Sequence, residues 1–114
     1  MTVIYKICQQ KEWLAAEQHR EFRGSKDDAL DGFIHLSTAA QLAGTLAKHF
    51  AGATNLLLVA VDAGALGQSL RWETSRGGDL FPHLYAALPL KAARWTRPIA
   101  DEVNGDRSMP ELSP

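Results

Sequence analysis

The stretch Asn55 to Asp62 (NLLLVAVD) constrains this chain most, because Leu56 to Val61 run apolar without a break between polar ends. A strand with no polar face must be covered on both sides, which puts it at the middle of a sheet. A chain of 114 residues with 46% hydrophobic content supplies one core to do this, and not two. The run is also far shorter than the roughly 20 residues needed to span a bilayer. The N-terminal Met-Thr-Val-Ile-Tyr-Lys carries no charged leader ahead of a long apolar region, so no signal peptide is expected. A single cysteine, Cys8, allows no internal disulfide and fits a reducing compartment. A cytoplasmic location is the expectation.

Around that strand the pattern predicts one α+β domain over residues 1–99. Thr2 to Cys8 reads as a first strand, with Val3, Tyr5 and Ile7 on one face and Ile4, Lys6 and Cys8 on the other. Gln10 to Phe22 has helix-favouring composition and a thin apolar face built on Trp13, Ala16 and Phe22. Arg23 to Leu30 reads as a polar loop. Thr38 to Ala51 is the clearest helix, opened by a Thr38–Gln41 capping box and striped by Leu42, Leu46 and Phe50. Lys48 and His49 fall in its last turn, where positive charge suits the helix dipole. Ser69 to Thr74 reads as a strand with Arg71 and Glu73 on the same face. Ser75 to Asp79 reads as a glycine-containing loop, and Pro82 as a break in pairing just before His83. Strands are expected again over Leu84 to Leu90 and Ala92 to Ile99. Residues 100–114 are polar with two prolines and are expected to form a flexible or loosely draped tail.

Chemistry gathers in three stretches. In Asp31-Gly-Phe-Ile-His-Leu-Ser-Thr, strand alternation puts Phe33, His35 and Ser37 on one face, just ahead of a helix start whose free N–H groups favour an anion. Arg71-Trp-Glu supplies a cation and an acid two residues apart. Phe81-Pro-His-Leu-Tyr holds His83 in an aromatic, proline-stiffened segment. His35, Arg71, Glu73, His83 and Tyr85 together suit anion binding and general acid–base work. Two histidines and a glutamate are also a metal donor set, but no spacing here matches a zinc or iron motif, and no metal is expected. Phosphate-cradling glycine loops are absent too. The net charge of −1 gives no broad basic field for nucleic acid, although an RNA end at a local site is compatible with it.

Read together, these three stretches resemble the bacterial family catalogued as domain of unknown function 952, over about residues 2 to 99. That family has been grouped with the ADP-ribosyltransferase-like superfamily, which includes RNA 2′-phosphotransferases and poly-ADP-ribose polymerases. The resemblance implies a compact fold with a split, mostly antiparallel sheet, two main helices and a cleft able to hold NAD. It also implies roles. His35 would anchor a ribose hydroxyl; to this the residues themselves add Ser37 and Thr38 as ligand-binding groups and Arg71 as the partner of a phosphate. Glu73 would steady positive charge at the ribose carbon, with His83 and Tyr85 at the nicotinamide end. Glu73 departs from the superfamily pattern, because it precedes His83 where the usual glutamate comes late. Two functions follow as expectations: ADP-ribosyl or phosphate transfer on a nucleotide with NAD as substrate, or a binding module without catalysis. A metal-dependent hydrolase is the third.

Overall fold

A computed structural model describes residues 1–113, apart from the side chain of Arg76. In chain order the elements are β1 (Val3–Gln9), α1 (Gln10–His19), β2 (Glu21–Phe22), α2 (Lys26–Asp31), β3 (Ile34–His35), α3 (Leu42–His49), β4 (Leu56–Asp62), β5 (Leu70–Thr74), β6 (Leu80–Leu84), β7 (Leu88–Pro89) and β8 (Ala93–Ile99). The apolar run forms β4 and lies between β1 and β8 in an antiparallel sheet. Its alternate residues feed two cores. Val59 and Val61 join Ile4, Cys8, Trp13, Phe22 and Ile34, while Leu56, Leu58 and Ala60 join Tyr5, Ile7, Leu42 and Leu46. Each fully buried Leu or Val contributes about 1.5–3 kcal/mol relative to exposure, which makes β4 the strand that holds the two layers together.

A second antiparallel sheet has the order β3-β6-β5, and β2 pairs separately with β7. The α+β class and the antiparallel pairing therefore match the expectation. The helices differ from it. The described residues hold three α-helices, because Arg23 to Leu30 is not a loop throughout: α2 begins at Lys26. Ser25 caps it, accepting the Asp28 N–H, while the Asp28 carboxylate accepts the Ser25 N–H at 2.8 Å. Helix α1 stops at His19, and Phe22 reaches the core from a strand instead. The Thr38 helix starts with a 3-10 turn over Ala39–Gln41 before α3 proper.

Pro82 does not break β6. It pairs with Trp72 of β5, and its carbonyl accepts the Leu36 N–H at 3.0 Å. Proline has no N–H to return that bond, and β3 pairing ends at His35. One residue later the chain changes partner: Ser37 and Tyr5 exchange backbone hydrogen bonds of 2.8 and 2.9 Å. The sheet is split at this point. The expected strand from Leu84 to Leu90 is likewise divided between the end of β6 and β7.

Residues 100–113 lie against the body. Met109 and Leu112 pack on the second core, and Arg107 donates to the carbonyls of Phe50 and Ala53. Arg97 donates to the carbonyls of Glu111 and Ser113.

Candidate functional site

The register of the second sheet sets His35 opposite His83 and His83 opposite Arg71, so the three form one row across β3, β6 and β5. Alternation places Phe33, Ser37, Phe81, Tyr85 and Glu73 on the same face. Phe33 stacks on His83 at 4.1 Å between centroids and lies 4.6 Å from His35. The two imidazoles are 5.7 Å apart and nearly perpendicular, at 69°.

Each histidine is braced differently. His35 Nδ1 meets Asp28 Oδ1 at 2.6 Å and Nε2 meets Asp31 Oδ2 at 2.8 Å, so a carboxylate holds each ring nitrogen. Asp28 is itself buried and paired at 2.8 Å with buried Lys6, which also donates to the His35 carbonyl at 3.0 Å. Burial alone would raise the Asp28 carboxyl. Hydrogen bonds from His35 and Lys6, with the Lys6 charge, outweigh it and hold the group well below the usual carboxylate range. The same Asp28 bond raises His35 above its ordinary value, against the opposing effect of burial. His83 Nδ1 meets Glu73 Oε1 at 2.9 Å, and the Tyr85 hydroxyl donates to that same oxygen at 2.6 Å. This sharing lowers Glu73, first through Tyr85 and then through His83, and raises Tyr85.

His35, Ser37 and His83 line one cleft of about 310 Å³. Asp27, Asp28 and Asp31 of α2 form one wall, and Thr45, Lys48 and His49 of α3 form the other. His49, which the helix dipole accounts for, therefore also borders the cleft. The other expected residues lie around it. Glu73 and Tyr85 support His83 from outside, and the Arg71 guanidinium lies over the Tyr85 ring at 4.8 Å. Thr38 caps the 3-10 turn, its N–H bonded to Gln41 at 3.0 Å. Among the described residues no three His, Cys, Asp or Glu side chains converge as a metal site. No helix among them is long and apolar enough to cross a membrane.

A family described as "Protein of unknown function (DUF952)" matches residues 7–96. The chain belongs to that family. Two solved structures are similar to this DUF952 protein over nearly its whole length. The crystal structure of protein CC0527 from Caulobacter crescentus is 45% identical, with a TM-score of 0.89 and 94% of each chain covered. The solution structure of CC0527 is 47% identical, with a TM-score of 0.80, covering 92% of this chain and 90% of that one. Comparison with curated proteins finds no match.

Sequence reasoning missed four contributors to this DUF952 site: Lys6, Asp28, Asp31 and Lys48. Asp28 carried a signal, since Ser25-x-x-Asp28 is a capping box. Lys6 sits on the Ile4–Cys8 face of β1, where a lone charge among buried neighbours calls for a counter-ion.

Proposed function

We propose that the cleft binds a nucleotide-class ligand of the NAD or ADP-ribose type and that the protein transfers an ADP-ribosyl or phosphate group from it. The observation that carries this reading is the pairing of His35 with His83 over one cleft, each imidazole braced by carboxylate. Two oriented imidazoles at a fixed separation can serve as proton donor and acceptor in such a transfer. The cleft volume is at the small end for ligand sites, suited to one nucleotide unit with the remainder of a dinucleotide outside. The resemblance to the ADP-ribosyltransferase-like superfamily supports the ligand class by analogy of fold.

In this reading His35 and Ser37 hold the ribose, and His83 works at the reacting bond. Glu73 acts by positioning His83 and Tyr85, both of which it already binds. Arg71 and Tyr85, beside the cleft, take the phosphate or base that extends from it. A binding module without catalysis is the second reading, and one observation favours it: both ring nitrogens of His35 are occupied by carboxylates.

Thermal melting against NAD, ADP-ribose and AMP tests the ligand class. A ligand at one hundred times its dissociation constant adds about 2.7 kcal/mol of stability, and His35→Ala should remove the shift. Nicotinamide release separates the two readings. A transferase releases it and Glu73→Gln slows release while binding persists, whereas a binding module releases none. If no ligand moves the midpoint, the nucleotide reading fails.

A further inference from the structure

We propose that the His35–His83 pair cleaves ribonucleotide 3′,5′-phosphodiesters by internal transesterification, leaving a 2′,3′-cyclic phosphate and a free 5′-hydroxyl. The proposal rests on the nucleotide-class reading of the cleft and assigns it a second activity that does not involve NAD. Three observations lead to it.

The first is the difference between the imidazoles. His35 has a carboxylate at each ring nitrogen, which favours the doubly protonated cation, and the Asp28 bond raises its affinity for that proton. His83 gives only Nδ1 to Glu73, which lies outside the cleft, so Nε2 is the ring nitrogen left for a ligand. When Nδ1–H is donated to the Glu73 carboxylate, Nε2 is the ring nitrogen that can present a lone pair to the cleft. The two rings of one cleft thus differ in geometry: His35 has both nitrogens held by carboxylates and suits the acid, whereas His83 has one nitrogen left over and suits the base.

The second is their separation. Ring centroids 5.7 Å apart correspond to about two hydrogen-bond lengths, so one phosphate group can touch both rings. Lys48 on the α3 wall and the His35 cation supply positive charge to the dianionic transition state at phosphorus.

The third concerns the nucleophile. Three protein groups that could attack, Cys8, Ser37 and Ser25, are engaged elsewhere. The Cys8 thiol is buried and pushed up to about 12. The Ser37 hydroxyl is bonded to that of Thr45 at 3.0 Å, and the Ser25 hydroxyl accepts the Asp28 N–H at 3.3 Å. An acid–base pair in such surroundings suits a substrate that brings its own nucleophile, and the ribose 2′-hydroxyl is one.

In the reaction, His83 Nε2 takes the 2′-hydroxyl proton as the O2′–P bond forms. The P–O5′ bond breaks, and O5′ takes the proton from His35 Nε2. No water, oxidant or metal is consumed, and solvent proton exchange restores both rings. Asp31, with a side chain 55% exposed, keeps the His35 Nε2 proton at the cleft surface, where the leaving oxygen takes its place.

The test uses the full chain and the ribodinucleotide uridylyl-(3′→5′)-adenosine, with phosphorus NMR reading the cyclic product. Wild-type protein should yield uridine 2′,3′-cyclic phosphate and adenosine with a bell-shaped pH profile. His35→Gln, His35→Ala and His83→Ala should each be slower by about 100-fold or more. Circular dichroism confirms that each variant is folded. The 2′-deoxy dinucleotide should be inert. Wild-type turnover no faster than that of a folded His35→Gln variant overturns the proposal, and so does cleavage of the 2′-deoxy compound, which would make water the nucleophile. Melting shifts with NAD or ADP-ribose but no dinucleotide cleavage would defeat this inference alone. Cleavage without any NAD or ADP-ribose shift would support it and defeat the ADP-ribosyl reading instead.

Discussion

His35 and His83 are paired residues on neighbouring antiparallel strands, and each turns its Nδ1 to a different carboxylate. Direct cross-strand pairing fixes their separation through the backbone ladder and not through flexible side chains. The carboxylates then fix the orientation of each ring. The site's geometry is therefore a property of the sheet, whereas its protonation is a property of α2 on one side and β5 on the other.

Asp28→Asn should be the most damaging single change near the cleft. It leaves buried Lys6 without a counter-charge, and breaking such a pair costs about 3–5 kcal/mol. Urea denaturation reads this directly. Adding Lys6→Met should recover part of the loss, because the uncompensated charge leaves with it. A double variant no more stable than Asp28→Asn alone would show that the ion pair is not what the cost reflects.

Stability should fall as pH rises through the His35 titration. The folded-state pKa of His35 is raised, so its contribution is fully present below the unfolded value near 6.5 and is lost as pH climbs through the folded value. The side chain is 39% exposed, so solvent screening keeps the contribution modest. Asp28 acts in the opposite sense. Its depressed pKa gives stability above the unfolded value near 3.8, lost as pH falls through the folded one. Melting points taken across pH 5 to 9 should slope downward for the wild type, and His35→Ala should flatten that slope.

Gly24→Ala should loosen the histidine site from outside the cleft. Gly24 has φ +107°, and an added Cβ would come within 2.8 Å of the Asp28 Cβ and 3.2 Å of its Oδ2. Strain of this kind costs about 1–3 kcal/mol and displaces the carboxylate that holds His35. Denaturation should register the cost, and an NMR titration should show His35 moving toward its ordinary pKa. Stability lost with no change in the His35 titration would mean that Asp28 had kept its place.

Cys8 should resist alkylation in the native protein. Burial pushes its thiol up to about 12, leaving almost no thiolate at neutral pH. Iodoacetamide at pH 8 should label it slowly when folded and readily in denaturant, as mass spectrometry would record. Fast native labelling would mean that β1 opens locally.

The sequence pattern led to β4, to the shared face of Phe33, His35 and Ser37, and to His83, because alternation and apolar runs are local properties. What escaped it depends on pairing. Arg71 and Glu73 share a face as expected, but only the β5–β6 register shows Glu73 reaching His83 while Arg71 covers Tyr85. Helix α2 escaped for a different reason. Six residues rich in Asp have weak helix propensity, and their capping box competes with the look of a polar loop. The Lys6–Asp28 pair joins elements 22 positions apart and has no local trace except a lysine among apolar neighbours. Polar composition alone also hid the anchors of the C-terminal segment, since Arg107, Met109 and Leu112 are spaced by no regular period.

The chain from Ile34 to Ser37 belongs to both sheets, bonded to β6 as far as Leu36 and to β1 from Ser37. It works as a seam, sewn on one side by the Pro82 carbonyl and on the other by Tyr5. Because proline offers no second stitch, the backbone bonds that carry the angle between the sheets are few at the seam, and the Lys6 side chain adds a further tie from β1 to the His35 carbonyl. His35 sits just before the seam and Ser37 just after it, so a small change in that angle alters the width of the cleft floor between them. The width of the site is thus set by one four-residue thread, held to β1 through both the His35 carbonyl and Ser37.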